Sequence, residues 1–312
     1  RPLPPHMGWR SASTFFPVND HPSDEATYSF HVTAPAGQVV ATNGLATGRA
    51  ANADGTTTWH SAARDPIASY LVQIAIGDFE VVDGGVSSGG VPIRHVVHRS
   101  LLPVARSTLA RTAEMLDVLT GIWGPYPFEV YGVLAVDEDL GFALETQTLT
   151  LVGSTTARSG RRADALLAHE LAHQWVGNSV TVSTWKDIWL NEGFATYSEW
   201  LWSERTGGPS AGEIARRVPR SGLDGATGDP GPDELFRDIV YTRGALALQA
   251  LRESIGEPAF FEVLRSWAQQ RAAPVSTEDF VALCEEVSGQ DLGALFRRWL
   301  YEPSLPSLDA AA

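Results

Sequence analysis

Two histidines four positions apart, His169-Glu170-Leu-Ala-His173, and a glutamate, Glu192, nineteen positions after the second, constrain this chain more than any other feature. Ala163, Leu167, Leu171 and Trp175 mark a helical stripe through the first string, so the string reads as helix. At 3.6 residues per turn, positions four apart are displaced by only about 40° and one turn of rise. Both imidazoles can therefore reach one cation from the same face. Imidazole suits Zn²⁺, and a hydrolytic zinc takes three protein ligands and keeps a fourth position for water. Glu170 projects beside the histidines, where its carboxylate can take the proton from that water.

Taken alone the pattern is modest. With eight histidines in 312 residues, chance would produce it in about one such chain in a hundred, and the bland alternative is a helix holding two satisfied histidines. The continuation decides. Asn191-Glu192-Gly-Phe-Ala opens the next helical segment, while Gly177-Asn178 stops the first and lets the second fold back. Two histidines from one helix and a carboxylate from the next form the His₂Glu set of a catalytic zinc site, one ion per chain. Asn191 is open to two readings, a hydrogen bond that orients a histidine or a helix cap.

Composition removes several other functions. Asp and Glu number 37 against 23 Lys and Arg, a net charge of −14 with His neutral. That balance argues against a general nucleic-acid binder, which needs a basic footprint, and against docking to anionic membranes. No run of 18 apolar residues exists, so no membrane span is expected; no charged-then-apolar leader opens the sequence, and with a trimmed start a removed signal peptide stays open. Cys284 is the only cysteine, which excludes an intrachain disulfide and a Cys-rich finger. At 33.6 kDa one or two domains are expected. The expectation is a soluble protein whose start at Arg1 fits a processed or trimmed end, with a lean to the cytoplasm; oligomeric state is not legible. Trp175, Trp185, Trp189, Trp200 and Trp202 crowd one stretch, as a rigid aromatic core or a walled pocket would require.

Along the chain, the pattern changes near residue 100. Before it, Tyr28-Ser-Phe-His-Val, Gln38-Val-Val-Ala, Ser69-Tyr-Leu-Val-Gln-Ile-Ala-Ile and Phe79-Glu-Val-Val alternate between turn signals such as Asn43-Gly and Asp54-Gly, which predicts strands. After it the period lengthens. Helices are predicted at 103–121, 162–177, 189–206, 238–255, 258–271, 277–288 and 290–301, with strands at 129–136 and 147–152. Ser276-Thr-Glu-Asp reads as a capping box, and the Gly- and Pro-rich segment 206–235 as a long surface loop.

Three other patterns are weaker. Gly85-Val-Ser87-Ser-Gly89 matches the serine-hydrolase elbow, but that turn must lead into a helix, and Gly90, Pro92 and a strand-like Ile93-Arg-His-Val-Val follow it. A hairpin loop is the better reading. His95 and His98 fall on opposite faces of a strand and are not expected to share an ion. Asp137-Glu-Asp139 reads as a solvated loop, with a role near Glu145 left open.

The string HELAHQWVGNSVTVSTWKDIWLNEGFATYSEW at 169–200 resembles the gluzincin aminopeptidases, the group containing aminopeptidase N and leukotriene hydrolase-type enzymes. Gly141-Phe-Ala-Leu-Glu145-Thr-Gln-Thr resembles the motif that binds the substrate's free α-amine. Val240-Tyr241-Thr-Arg-Gly-Ala resembles the segment of the family's transition-state tyrosine, and Phe16-Pro-Val-Asn-Asp-His-Pro a landmark of its amino-terminal β-domain. The likeness extends from about residue 8 to about 308. Two departures stand in the amine motif, where the family's Gly-Ala-Met-Glu-Asn is Phe142-Ala-Leu-Glu145-Thr. The glutamine that often helps hold the amine is not identifiable in Trp9-Arg-Ser-Ala-Ser-Thr14.

The resemblance implies an α+β, multi-domain architecture: a partial amino-terminal β-sandwich or saddle domain over 1–97 and a thermolysin-like catalytic domain over 98–312. Half of the β-domain and the large carboxyl-terminal helical domain of many members have no counterpart here, as in a fragment or a short form. It also implies a zinc aminopeptidase acting on peptides with a free amino terminus. His169, His173 and Glu192 would hold the ion, Glu170 would act as base and then acid, Tyr241 would stabilise the oxyanion, and Glu145 would pair with the substrate ammonium. A zinc endopeptidase on the same site and an inactive peptide-binding scaffold are the alternatives, with epoxide hydrolysis a rarer activity of the family.

Overall fold

A computed structural model describes residues 12–271 and 273–308; Trp9, Arg10 and Ser11 of the expected amine-pocket stretch lie outside them. The chain divides into two compact units, one formed up to Asp117 and by Pro125–Gln174, the other by Val118–Gly124 and everything from Trp175 onward.

The first unit is built on β-structure. Strand β1 (Glu25–Ala26) pairs with β6 (Ile67–Ala68), and β3 (Val39–Thr42) with β7 (Ile74–Gly77). β2 (Ser29–Pro35), β4 (Leu45–Ala51) and β5 (Thr56–Ala62) form an antiparallel sheet ordered β2-β5-β4, with Asp54-Gly55 turning the β4–β5 hairpin as its turn chemistry dictates. A five-stranded mixed sheet, ordered β11-β12-β10-β9-β8, takes β8 (Phe79–Val86) and β9 (Pro92–His98) together with β10 (Val133–Ala135), β11 (Ala143–Leu144) and β12 (Thr150–Val152). β9, β10 and β12 run parallel, and β11 is an antiparallel edge strand. Parallel strands are buried on both faces, and Val96, Val97, Val133, Leu134, Ala135 and Val152 are all buried.

The segment expected as one helix at 103–121 is two, α1 (Leu102–Leu109) and α2 (Thr112–Trp123). The Thr112 hydroxyl donates to the Leu109 carbonyl, a local bond that competes with the helix ladder. α3 (Ser154–Ala157) and α4 (Asp164–Ala172) follow. The strands expected at 129–136 and 147–152 shrink to β10 and β12, and Ser69–Leu71 is a helical turn rather than strand.

The second unit is helical: α5 (Trp189–Arg205), α6 (Ala211–Arg217), a π-helical turn Ile239–Arg243 running into α7 (Gly244–Ile255), then α8 (Glu257–Trp267), α9 (Thr277–Ser288) and α10 (Gly293–Leu300). α6 falls inside the expected loop 206–235. Its start is a capping box in which the Ser210 hydroxyl accepts from the Glu213 amide and Glu213 returns a bond to Ser210. The Gly and Pro on either side hid this signal. α9 starts at the expected Ser276–Asp279 box. Of the crowded tryptophans, Trp189 enters an aromatic core with Phe194, Trp267 and Phe280, ring centroids 5.0–6.4 Å apart. No helix among the described residues is long and apolar enough to cross a membrane.

His95 on β9 is buried, and its Nδ1 accepts a hydrogen bond from the Val133 amide at 3.2 Å, which requires the neutral ring. Burial pulls its pKa from 6.5 down to about 4. The unfolded chain therefore binds this proton below 6.5 while the folded chain does not, so stability present above that pH is lost as pH falls towards 4. The loss amounts to about 3 kcal/mol. Urea titrations of wild type and His95→Gln at pH 7, 5.5 and 4.5 should show the wild type losing stability more steeply; parallel slopes would remove His95 as the titrating group.

Candidate metal centre

α4 carries His169 and Glu170, and His173 caps its carboxyl end with its amide bonded to the His169 carbonyl at 3.2 Å. The helix is anchored at its start, where Asp164 accepts from Arg111 at 2.7 Å and complements the helix dipole. Glu192 lies in the first turn of α5, its amide bonded to the Ile188 carbonyl at 3.0 Å. Solvent is almost excluded from all four side chains, with exposures of 7 % for His169, 5 % for Glu170, 1 % for His173 and 5 % for Glu192. The imidazole rings of His169 and His173 meet edge to face at 4.8 Å, as side chains four apart on a helix must.

One ligand atom from each of His169, His173 and Glu192 lies within 4.8 Å of the others, and they are the one such group of three or more metal-ligating side chains among the described residues. Two imidazoles and a carboxylate fit Zn²⁺ in donor type and number and leave a coordination position for water. Sequence spacing thus finds the cluster whole. Asn191 is the third residue of α5, whose cap position is Ile188, so it is no helix cap. Its Oδ1 is buried with no hydrogen-bond partner among the described residues.

Glu145 follows edge strand β11 and is half-buried. Its backbone opens a turn ending at Thr148, a β-branched residue at φ +67°, a conformation that costs about 1–3 kcal/mol and persists only where neighbours over-determine it. Gln174, next to His173 and fully buried, donates through Nε2 to the Glu145 carbonyl at 3.0 Å and accepts from the Thr148 amide at 2.8 Å. Asn43 donates to the Gln147 carbonyl at 2.7 Å, and the Gly44 amide to the Thr148 hydroxyl at 2.8 Å. Thr146 turns its hydroxyl onto the Leu149 carbonyl. Phe142, the other departure from the family motif, is 52 % exposed.

Tyr241 is half-buried at the middle of the π-helical turn, a form that recurs at functional sites. Two features of the second unit fix that turn. A Cβ placed on Gly193 would come within 2.9 Å of the Gly244 Cα, so the helix bearing Glu192 meets the backbone just after Tyr241 at a crossing that admits glycine alone. Arg243, fully buried, donates to five main-chain carbonyls, those of Leu223, Gly225, Arg298, Trp299 and Glu302, at 2.6–3.2 Å. It thereby caps the last turn of α10, where carbonyls lack helical partners and carry negative partial charge. Nothing in the sequence named its partners, since carbonyls carry no residue code.

The remaining patterns fall elsewhere. Ser87 lies in the hairpin loop between β8 and β9, its amide bonded to the Val91 carbonyl, with no helix after it. His95 is interior and holds Val133, whereas His98 lies near Ser100 and Asp137. Asp137 accepts from Ser100, which holds its carboxyl below the usual range, and is paired at 3.3 Å with Arg158.

Comparison with known proteins agrees with this geometry. The peptidase family M1 domain matches residues 111–299. A human relative, aminopeptidase RNPEPL1, is 28% identical over 92% of this chain, which spans 42% of that protein's length. The chain is therefore less than half as long as this curated relative. The crystal structure of an M1 zinc metallopeptidase from Deinococcus radiodurans superimposes with a TM-score of 0.84 at 36% identity, over 95% of this chain and 68% of that one. A variant of the same enzyme, solved with a Tyr-Ser-Ala substrate, superimposes with a TM-score of 0.81 at 35% identity, over 94% of this chain and 68% of that one.

Two outcomes are expected. His173→Ala should purify without stoichiometric zinc by elemental analysis, whereas normal zinc content would overturn the ligand set. Arg243→Met strands five interior carbonyls and should lower stability by about 3 kcal/mol or more, read as a shifted denaturation midpoint; an unshifted midpoint would mean that water replaces the guanidinium.

Proposed function

This chain belongs to peptidase family M1, and we propose that it is a zinc aminopeptidase that hydrolyses the first peptide bond of peptides with a free amino terminus. The observation that carries the reading is the buried His169, His173 and Glu192 cluster with Glu170 beside the histidines on the same helix. Zinc, when bound, supplies a Lewis acid that polarises the scissile carbonyl and makes water acidic enough to ionise near neutral pH.

The chain's own residues supply the rest. The water oxygen attacks the carbonyl carbon while its proton passes to the Glu170 carboxylate. As the carbon–nitrogen bond breaks, Glu170 returns that proton to the leaving amine. Burial of Glu170 strengthens its interactions with charge that develops nearby. Tyr241 donates a hydrogen bond to the oxyanion, a contribution worth about 3–4 kcal/mol for a well-placed donor. Glu145 pairs with the substrate α-ammonium and so fixes which bond is cut. The Asn191 Oδ1, buried and without a hydrogen-bond partner among the described residues, orients in this reading the neighbouring histidine or a water. The tripeptide seen with the Deinococcus enzyme is the kind of substrate such a site takes.

The decisive experiment compares a leucyl peptide with its N-acetylated twin, each with and without a zinc chelator. Chelator-sensitive release from the free peptide alone is expected. Equal cleavage of both would identify an endopeptidase, and no cleavage of either by zinc-loaded protein would leave a binding scaffold. Glu170→Gln should keep its zinc and lose turnover by about 10²–10⁴-fold; a zinc-loaded, active variant would remove Glu170 as the base.

A further inference from the structure

We propose that Gln174 is a positioning residue that sets where the amine anchor stands, so that selectivity for a free amino terminus depends on a side chain with no chemistry of its own. This inference rests on the reading of Glu145 as the anchor. An aminopeptidase must hold the α-amine and the scissile carbonyl carbon of one residue, two bonds apart, so the anchor and the metal ligands need a fixed separation. A misplacement of about 1 Å is enough to cost a large factor in rate.

Gln174 is a side chain placed for that task. Gln174 directly follows the ligand His173 and is fully buried. Its amide reaches both ends of the turn that begins at Glu145: Nε2 donates to the Glu145 carbonyl at 3.0 Å, and Oε1 accepts from the Thr148 amide at 2.8 Å. The orientation of the amide is unambiguous, because a backbone carbonyl can only accept and a backbone amide can only donate. Tyr126 adds a longer bond to the same Oε1 at 3.5 Å. The turn it grips is strained at Thr148, with φ +67°, so it relaxes unless held.

From the opposite side, Asn43 and Gly44 hold the main chain of Gln147 and the hydroxyl of Thr148. They tie the turn to the loop after β3. Gln174 ties it to the end of the helix that carries His169 and His173. Loss of Asn43 would loosen the turn on the β3 side, whereas loss of Gln174 would free Glu145 to shift relative to the ligands.

Gln174→Met keeps the length and bulk of the side chain and removes both bonds. Gln174→Glu keeps the acceptor for Thr148 and sets an acceptor against the Glu145 carbonyl. For each, zinc content, kcat and KM are measured on the leucyl peptide and its N-acetylated twin. Both variants should bind one zinc and raise KM for the free peptide about ten-fold, with kcat changed less than three-fold. The preference for the free peptide over its acetylated twin should fall by a similar factor. A purely structural role would lower the active fraction, and hence kcat, equally for both substrates and leave KM alone; that result overturns the proposal, as does loss of zinc. Equal cleavage of both peptides by the wild type would instead overturn the anchor reading itself, whereas a wild-type preference that survives intact in Gln174→Met removes Gln174 only. If Gln174→Met does not fold, Gln174→Glu carries the same comparison.

Discussion

Four ionisable side chains, His169, Glu170, His173 and Glu192, are buried together, and the rest of the site follows from that constraint. Removing a carboxylate from water costs several kcal/mol unless charge or hydrogen bonds compensate, and here two carboxylates leave water with imidazoles that a metal requires neutral. A divalent cation offsets what neutral imidazoles cannot. Folding and metal binding are therefore linked for this chain, and the ligands sit on α4 and α5 rather than on loops because helices hold donor atoms in place before the ion arrives. Ligands placed on mobile segments would spend binding energy on ordering.

Rigid helices alone leave the proposed oxyanion donor and amine anchor unplaced, and each is placed through its backbone. Tyr241 sits in a π-helical turn, a distortion with poorer hydrogen bonding than the α-helix that follows. Gly193 against Gly244 brings the turn's end against α5 at a distance no side chain permits, and Arg243 fastens it to the end of α10 and to the 223–225 loop. Glu145 sits in a turn strained at Thr148 and held by Gln174. In both cases an irregular segment next to a proposed site residue is held by a buried polar side chain that bonds main-chain atoms.

That arrangement explains what the sequence revealed and what it concealed. The metal ligands were legible because their spacing follows directly from helical geometry, and two turns of helix leave little freedom in where His169 and His173 point. The hairpin at Ser87 was legible because Gly90 and Pro92 forbid the helix an elbow needs. By contrast, Gln174 and Arg243 look like ordinary polar residues, since their partners are carbonyls and amides that every residue carries. Helix α6 was masked by the glycines and prolines around Ser210, although its capping box was present in the string Ser210-Ala-Gly-Glu213. At the break between α1 and α2 the Thr112 hydroxyl bonds the Leu109 carbonyl, a local alternative to the helix ladder that the helical period does not show.

Clamps on the backbone also bear on the two departures from the family's amine motif. Had Glu145 been placed by side-chain packing, Phe142 for glycine and Thr146 for asparagine would have shifted it. The Phe142 ring instead projects into solvent, and the Thr146 hydroxyl bonds back to the Leu149 carbonyl within the same turn, where it tightens the segment that Gln174 and Asn43 already grip. The backbone of Glu145 is thus fixed by partners indifferent to either substitution. On the aminopeptidase reading proposed above, selection for a free amine then depends on the position of Glu145 rather than on either substituted side chain.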